Sequence, residues 1–223
     1  LDVVRAPKAT IILLGDEIVL DGLPHDGLVR DALGPQLPGW LQRLGVEVIA
    51  TEYISDELNL VVDAFAKAAK SSDIIFTTGG TADGPRDHVH AAIAELKGEL
   101  IVDRVKVRPG HPMLLAHINN VPLVGLPGNP QSAIVALLTL GQPVIDALMG
   151  RKEVELNQIV TGDDIDVPEG FTRLVLGNVV DGWFEMGEYL GSAMLRGLAH
   201  STGFAVADKS MEEGEMIAWL PLP

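Results

Sequence analysis

Residues 73–90, Asp-Ile-Ile-Phe-Thr-Thr-Gly-Gly-Thr-Ala-Asp-Gly-Pro-Arg-Asp-His-Val-His, constrain the fold more than any other stretch of the chain. Ile74, Ile75 and Phe76 form a short apolar run that Thr77 and Thr78 extend into a buried strand. Gly79-Gly80 break that strand, and apolar residues resume at helical spacing at Val89, Ala92 and Ile93. A strand, a glycine turn and a helix start, in that order, make an anion cradle. Glycine lets the backbone close on an oxyanion, and the first N–H groups of a helix point at it. Thr81, Asp83, Gly84 and Asp87 belong to the same loop. Asp83 and Asp87 can accept hydrogen bonds, hold a divalent cation or cap the helix.

The flanking sequence sets this loop in an α/β rhythm. Ala9–Leu14 reads as a first buried strand stopped by Gly15-Asp16-Glu17, and Val46–Ala50 as a second. A short helix is expected from about Pro38 to Gly45 between them. Ser55-Asp56-Glu57 is a capping-type signal, and Leu60, Val61, Ala64, Phe65 and Ala68 follow at helical spacing. The pattern predicts a mainly parallel sheet with right-handed crossovers. Ligands of such sheets bind beyond the C-terminal strand ends, where Glu17, Asp56 and the Gly79–Asp87 loop fall. Further strands are expected over 100–107, 112–118 and 121–126. A long apolar helix, capped by Asn129 or Ser132, then runs to about 149. After Gly150 short β-like runs (Phe171–Val175, 193–195, Gly203–Val206, Glu215–Leu220) alternate with turns, with no strong helix pattern left. The expected architecture is a three-layer α/β/α domain over 1–150 and a small all-β, barrel-like domain over 151–223, with Met194 and Trp219 in the core of the latter.

Thirty-one acidic against 16 basic residues give a formal charge of −15. That disfavours nucleic acid and anionic membranes as partners. No apolar run long enough to span a bilayer and no signal peptide is read, and the protein is expected to be cytoplasmic. The chain begins at Leu1 rather than Met, as a piece of a longer protein would. The absence of cysteine excludes thiolate chemistry. Against the acidic background, Arg104, Lys106, Arg108 and His111 form a local positive strip, expected on one strand face beside a stiff Pro109-Gly110-His111-Pro112 turn. Such a strip suits a small anionic ligand, which arginine grips bidentately. Pro127-Gly128-Asn129-Pro130 is a second stiff turn, with an amide at the strand-end crevice. His88 and His90, two apart on a helix, do not face one another and make a poor metal pair.

Gly15-Asp16-Glu17-Ile18, Thr77-Thr78-Gly79-Gly80 with Gly84 and Asp87, Arg108-Pro109-Gly110-His111-Pro112 and Leu126-Pro127-Gly128-Asn129-Pro130 occur in the order seen in the molybdopterin-binding domains of molybdenum-cofactor biosynthesis. The resemblance spans residues 9–150, and the trailing β domain is similar to the C-terminal barrel of the molybdopterin molybdenumtransferases. It implies insertion of molybdate into adenylylated molybdopterin with Mg²⁺ and release of AMP. Asp56 and Asp87 match the family's essential carboxylates and are the implied metal ligands, and Glu17 matches another catalytic-site carboxylate. Gly79, Gly80, Thr81, Asp83, Gly84, Arg104, Arg108, Gly110, His111, Pro127, Gly128 and Asn129 would line the pterin and molybdate site. The alternatives are a molybdopterin adenylyltransferase, a branch that lacks the barrel, and a non-catalytic pterin-binding protein. The chain departs from the family pattern at Asp31-Ala32-Leu33, where an Asn is usual in place of Leu33. It departs again at His111, where a Lys is usual, and in having arginine at the basic positions. The family's N-terminal domains, through which its members dimerise, are absent, so a homodimer is expected to use another surface.

Overall fold

The computed structural model describes residues 3–81, 87–152, 154–188, 191, 193 and 195–223. Strand β1 (Lys8–Leu14) is buried from Ala9 onward because it lies inside a parallel sheet with both faces covered. Its neighbours are β4 (Glu47–Ile54) and β5 (Ile74–Thr78), both parallel to it. The β2 (Ile18–Val19) and β3 (Val29–Arg30) pair forms a separate two-stranded ribbon after the first turn. The main sheet runs in the order β4-β1-β5-β9-β8-β6. In it β9 (Val121–Leu126) is parallel to β5, while β8 (Leu114–Ile118) and β6 (Glu99–Asp103) are antiparallel additions at the edge.

Helices cover both faces. On one face α2 (Leu58–Ser71) and α3 (Val89–Glu95) bury Val61, Phe65, Ala68, Val89 and Ile93 against Ile12, Ile75 and Leu123. On the other face lie α1 (Leu37–Arg43) and the helical run Pro130–Leu148. That run comprises α4 (Pro130–Ala136), a π-helical turn at Leu137–Gly141 and α5 (Gln142–Leu148). It is long and apolar enough to cross a membrane by length and composition, but it is mostly buried between the sheet and the barrel.

The barrel consists of β10 (Asn157–Thr161), β11 (Thr172–Val180), β12 (Trp183–Met186), β13 (Gly203–Ala207) and β14 (Met216–Pro221). The order β12-β10-β14-β13-β11 closes through a β11–β12 pairing. Phe184 and Trp219 pack inside it with ring centroids 6.0 Å apart, so Trp219 is a core residue as expected. Leu174, Leu176, Leu198, Phe204 and Leu220 of the barrel segment join the same apolar cluster as Ile11, Phe76, Ile134 and Leu137. The barrel is therefore packed onto the helical face of the sheet rather than tethered beside it.

Several local expectations give way. The run 100–107 is not one strand. It ends at Asp103, Arg104 takes a left-handed φ of 63°, and β7 (Val107–Arg108) pairs with β11 of the barrel. The basic residues of this stretch therefore do not share a strand face. The 193–195 run is not a strand either, since Leu195–His200 forms helix α6, with its Leu198 buried. Met194, Asp83 and Gly84 lie outside the described residues. The helix caps also move. Glu57, not Asp56, is the N-cap of α2, His88 is that of α3, and Asn129 holds that position for α4 without a side-chain bond.

Thr77 Oγ1 is buried with no hydrogen-bond partner among the described residues. Desolvating a hydroxyl without a partner costs about 1–3 kcal/mol. Thr77→Val, which keeps the shape, should leave urea stability unchanged or raise it by about 1 kcal/mol. A clear loss of stability would mean that the hydroxyl does have a partner.

Candidate functional site

The C-terminal ends of β1, β4 and β5 bring the acidic residues together. Gly15 turns the chain out of β1 at φ 140°, and a Cβ there would come within 2.9 Å of the Glu17 carboxylate. The Asp16 N–H donates to Asp56 Oδ2 at 3.3 Å, and the Asp56 N–H donates to Asp16 Oδ1 at 3.2 Å. The two strand-end loops are thus clasped by their own carboxylates. His88 Nε2 lies 3.1 Å from the Asp56 carbonyl, which only accepts, so that nitrogen donates. Asp87 precedes His88, the N-cap of α3, in the chain. Burial pushes the Asp56 carboxyl above its ordinary range, and the charges of Asp16 and Glu17 add to the shift against the Asp16 N–H bond and His88. Among the described residues no three His, Asp or Glu side chains gather closely enough to hold a metal by themselves.

The glycine turn stands between this acidic half and a basic half. Gly79 has φ 77°, donates to the Leu126 carbonyl at 3.1 Å, and has no room for a side chain because the Leu14 carbonyl lies 2.8 Å from where its Cβ would be. Gly80, at φ 61°, backs onto Val89 at the start of α3. The Cα of Gly79 is also the nearest atom to the Cβ position of Gly128, at 3.9 Å, so the Pro127–Asn129 turn lies directly against it. Thr81 is buried beneath.

Beyond Asn129 a pocket of about 390 Å³ is lined by Arg108, Gly110, His111, Gln131, Ser132 and Arg173, among others. Among the described residues that line it there is no Asp or Glu. Arg173 reaches it because β11 pairs in parallel with β7, placing Arg173 opposite Arg108. The Arg108 guanidinium stacks 5.1 Å over the Phe171 ring, and His111 meets the same ring edge-on at 5.7 Å. Gly110 packs against the Ser132 carbonyl at φ 110° and holds the turn close to α4. Gln131 and Ser132 are buried polar residues at the start of that helix.

Of the residues anticipated here, Arg108, Gly110, His111 and Asn129 line the pocket, whereas Arg104 pairs with Asp103 at 3.6 Å and is not among the lining. His88 and His90 serve different places, since His90 bonds Asp103 at 3.0 Å. Arg173, Gln131 and Ser132 were not anticipated. Ser132 carried only a capping signal, and nothing within the Phe171–Val175 run marks Arg173, because its neighbour is 65 positions away and only the barrel pairing unites them. In the Asp31-Ala32-Leu33 segment, Leu33 is buried in the core. Asp31 accepts from the N–H groups of Leu33 and Gly34 and from the Tyr53 hydroxyl at 2.7 Å. Burial, reinforced by that bond, pushes the Tyr53 phenol up to about 12. This segment anchors a loop and brings no amide to the site.

Several known proteins are similar to this chain. The family described as "Probable molybdopterin binding domain" matches residues 10–147. A molybdopterin molybdenumtransferase of Nostoc sp. is 28% identical over 99% of this chain and 50% of its own length. That of Staphylococcus aureus is 26% identical over 78% of this chain and 42% of its own length. A molybdopterin biosynthesis protein from Pyrococcus horikosii superposes with a TM-score of 0.82, at 23% identity, over 98% of this chain and 55% of that one. The chain thus spans about half the length of these relatives. At 23% identity the superposition speaks for the fold, which includes the barrel as well as the α/β layers.

The raised Asp56 carboxyl gives a signed expectation. Stability owed to its protonated form is complete below the unfolded range and is lost as pH rises through the raised value. Asp56→Asn should therefore melt at or above the wild-type temperature near about pH 7, with the gap closing toward about pH 4. A variant that melts lower at neutral pH would mean that the ionised carboxylate supports the fold.

Proposed function

Because the chain belongs to the family of molybdopterin binding domains, we propose that it acts in molybdenum-cofactor biosynthesis as the molybdenumtransferase, inserting molybdate into adenylylated molybdopterin with release of AMP. The observation that carries the reading is the meeting of two opposite halves at the strand ends. Carboxylates lie on one side of the glycine turn, and on the other lies a pocket lined by Arg108, His111 and Arg173, with no carboxylate among the described lining residues. A substrate with a phosphoanhydride and an incoming molybdate needs both, since its charge has to be neutralised while the anions are held in place.

The acidic half fits a divalent cation. Asp56 is partly buried and repelled by Asp16 and Glu17, a strain that a bound cation relieves. Asp56 and Asp87 would hold Mg²⁺, with waters and the substrate completing its shell. When bound, the ion supplies charge neutralisation at the phosphoanhydride. The chain itself does the positioning. Gly79 and Gly80 let the backbone close on the pyrophosphate, and Glu17 shapes the entry over Gly15. Asn129 offers its amide between the halves. Arg108, Arg173, His111 and Ser132 form the anion wall that receives molybdate, the guanidiniums offering paired donors. The reaction is a cytoplasmic one on a small-molecule pterin.

The barrel's share in this wall favours the transferase over the adenylyltransferase branch, which lacks a barrel. ATP-dependent adenylylation of molybdopterin by this chain would reverse that preference. Asp87→Asn should cut AMP release on molybdate addition by about a hundredfold or more while leaving the fold intact. A fully active variant removes Asp87 from the mechanism. Arg173→Ala should weaken oxyanion binding by about tenfold to a hundredfold, the worth of one charge-assisted contact. Unchanged affinity would remove the barrel from the site.

A further inference from the structure

We infer that His111 makes the basic pocket a proton-coupled oxyanion site, in which a tetrahedral dianion enters together with one proton that settles on the His111 ring. The inference rests on reading this pocket as the oxyanion half of the site. Among the described residues lining the pocket, imidazole is the one group whose ordinary titration falls near neutrality, since guanidinium stays charged. His111 Nδ1 lies 2.6 Å from the Val105 carbonyl, which can only accept, so Nδ1 keeps its hydrogen in both charge states. Nε2 is therefore the atom that gains or loses the proton.

The surroundings give this proton its dependence on the ligand. The Phe171 ring carries Arg108 on its face and His111 at its edge, holding the two side by side. Arg173 approaches from β11. The segment that bonds the ring bears Lys106 and Arg104, the latter paired with Asp103. The helix start contributes Asn129, Gln131 and Ser132, all uncharged. Among the described residues, the carboxylate residue of the adjoining cavity, which shares Arg108 and Arg173, is Asp166. A bound dianion favours a positive charge on the ring beside it. Protonation and anion binding are then linked, each strengthening the other by the same factor.

Free molybdate and a phosphate ester of the substrate present the same tetrahedral dianion, so both serve as probes. Calorimetric titration of the full chain with sodium molybdate and with glycerol phosphate would run between about pH 7 and 8.5, where phosphate monoesters are largely dianionic. Repeating it in buffers of different ionisation enthalpy counts the protons taken up. The expected result is an association constant falling about tenfold per pH unit, with about one proton taken up per anion. Linkage with both probes, or with molybdate alone, supports the proposal, the second assigning the pocket to the free oxyanion. His111→Lys should bind without pH dependence, and His111→Gln should bind weakly at every pH. Tight wild-type binding that is flat with pH overturns the proposal but leaves the oxyanion pocket standing. Failure of both probes to bind at any pH overturns the pocket reading as well.

Discussion

Two residues of strand, Val107 and Arg108, leave the edge of the α/β sheet and pair in parallel with Thr172 and Arg173 of the barrel. Most of what is distinctive in the molecule depends on that short ladder. It fixes the barrel against the side of the sheet that carries the Pro130–Leu148 run. The apolar cluster there is continuous from Ile11 and Phe76 through Ile134 to Leu176 and Phe204. It also sets two arginines opposite each other, a like-charge juxtaposition that folding alone would not favour. Stacking on Phe171 and a bond from Arg173 to the Asp166 carbonyl, at 2.7 Å, hold the guanidiniums in place.

The charge layout follows from the same geometry. A chain of net charge −15 repels anions at long range, so an anion site needs a local region where cations dominate. The pocket at the sheet–barrel junction provides it, while the carboxylates of Asp16, Glu17 and Asp56 cluster at the strand ends across the glycine turn. Gly79 and Gly128 are the hinge between the halves in a purely steric sense. A side chain at Gly79 would collide with the Leu14 carbonyl, and the two turns touch there. Close backbone approach, rather than any side chain, brings the two turns together there.

Much of this was legible in the sequence because it is local. The runs Ala9–Leu14, Val46–Ala50 and Ile74–Thr78 announce parallel strands, and Gly79-Gly80 announces the turn, since only strand interiors and strained turns demand such residues. Arg108, Gly110, His111 and Asn129 were readable as a group because two stiff turns bracket them. What was not legible depends on distant pairing. The alternation over 100–107 resembles one strand, but the left-handed Arg104 ends it and sends Val107 to a different sheet, which local periodicity does not register. Arg173 is invisible for the same reason. Leu195–His200 is too short for helical spacing to stand out among glycines, and it is fixed by packing of Leu198 against the shared core.

The central claim is that this chain holds adenylylated molybdopterin across both halves of the crevice and exchanges AMP for molybdate. The most direct test is titration of the chain with adenylylated molybdopterin in the presence of Mg²⁺, followed by addition of molybdate while free AMP is measured. The account predicts saturable binding of the pterin nucleotide and AMP release that begins only when molybdate is added. Binding with no release would reduce the chain to a carrier of the pterin, and the absence of binding would contradict the account outright.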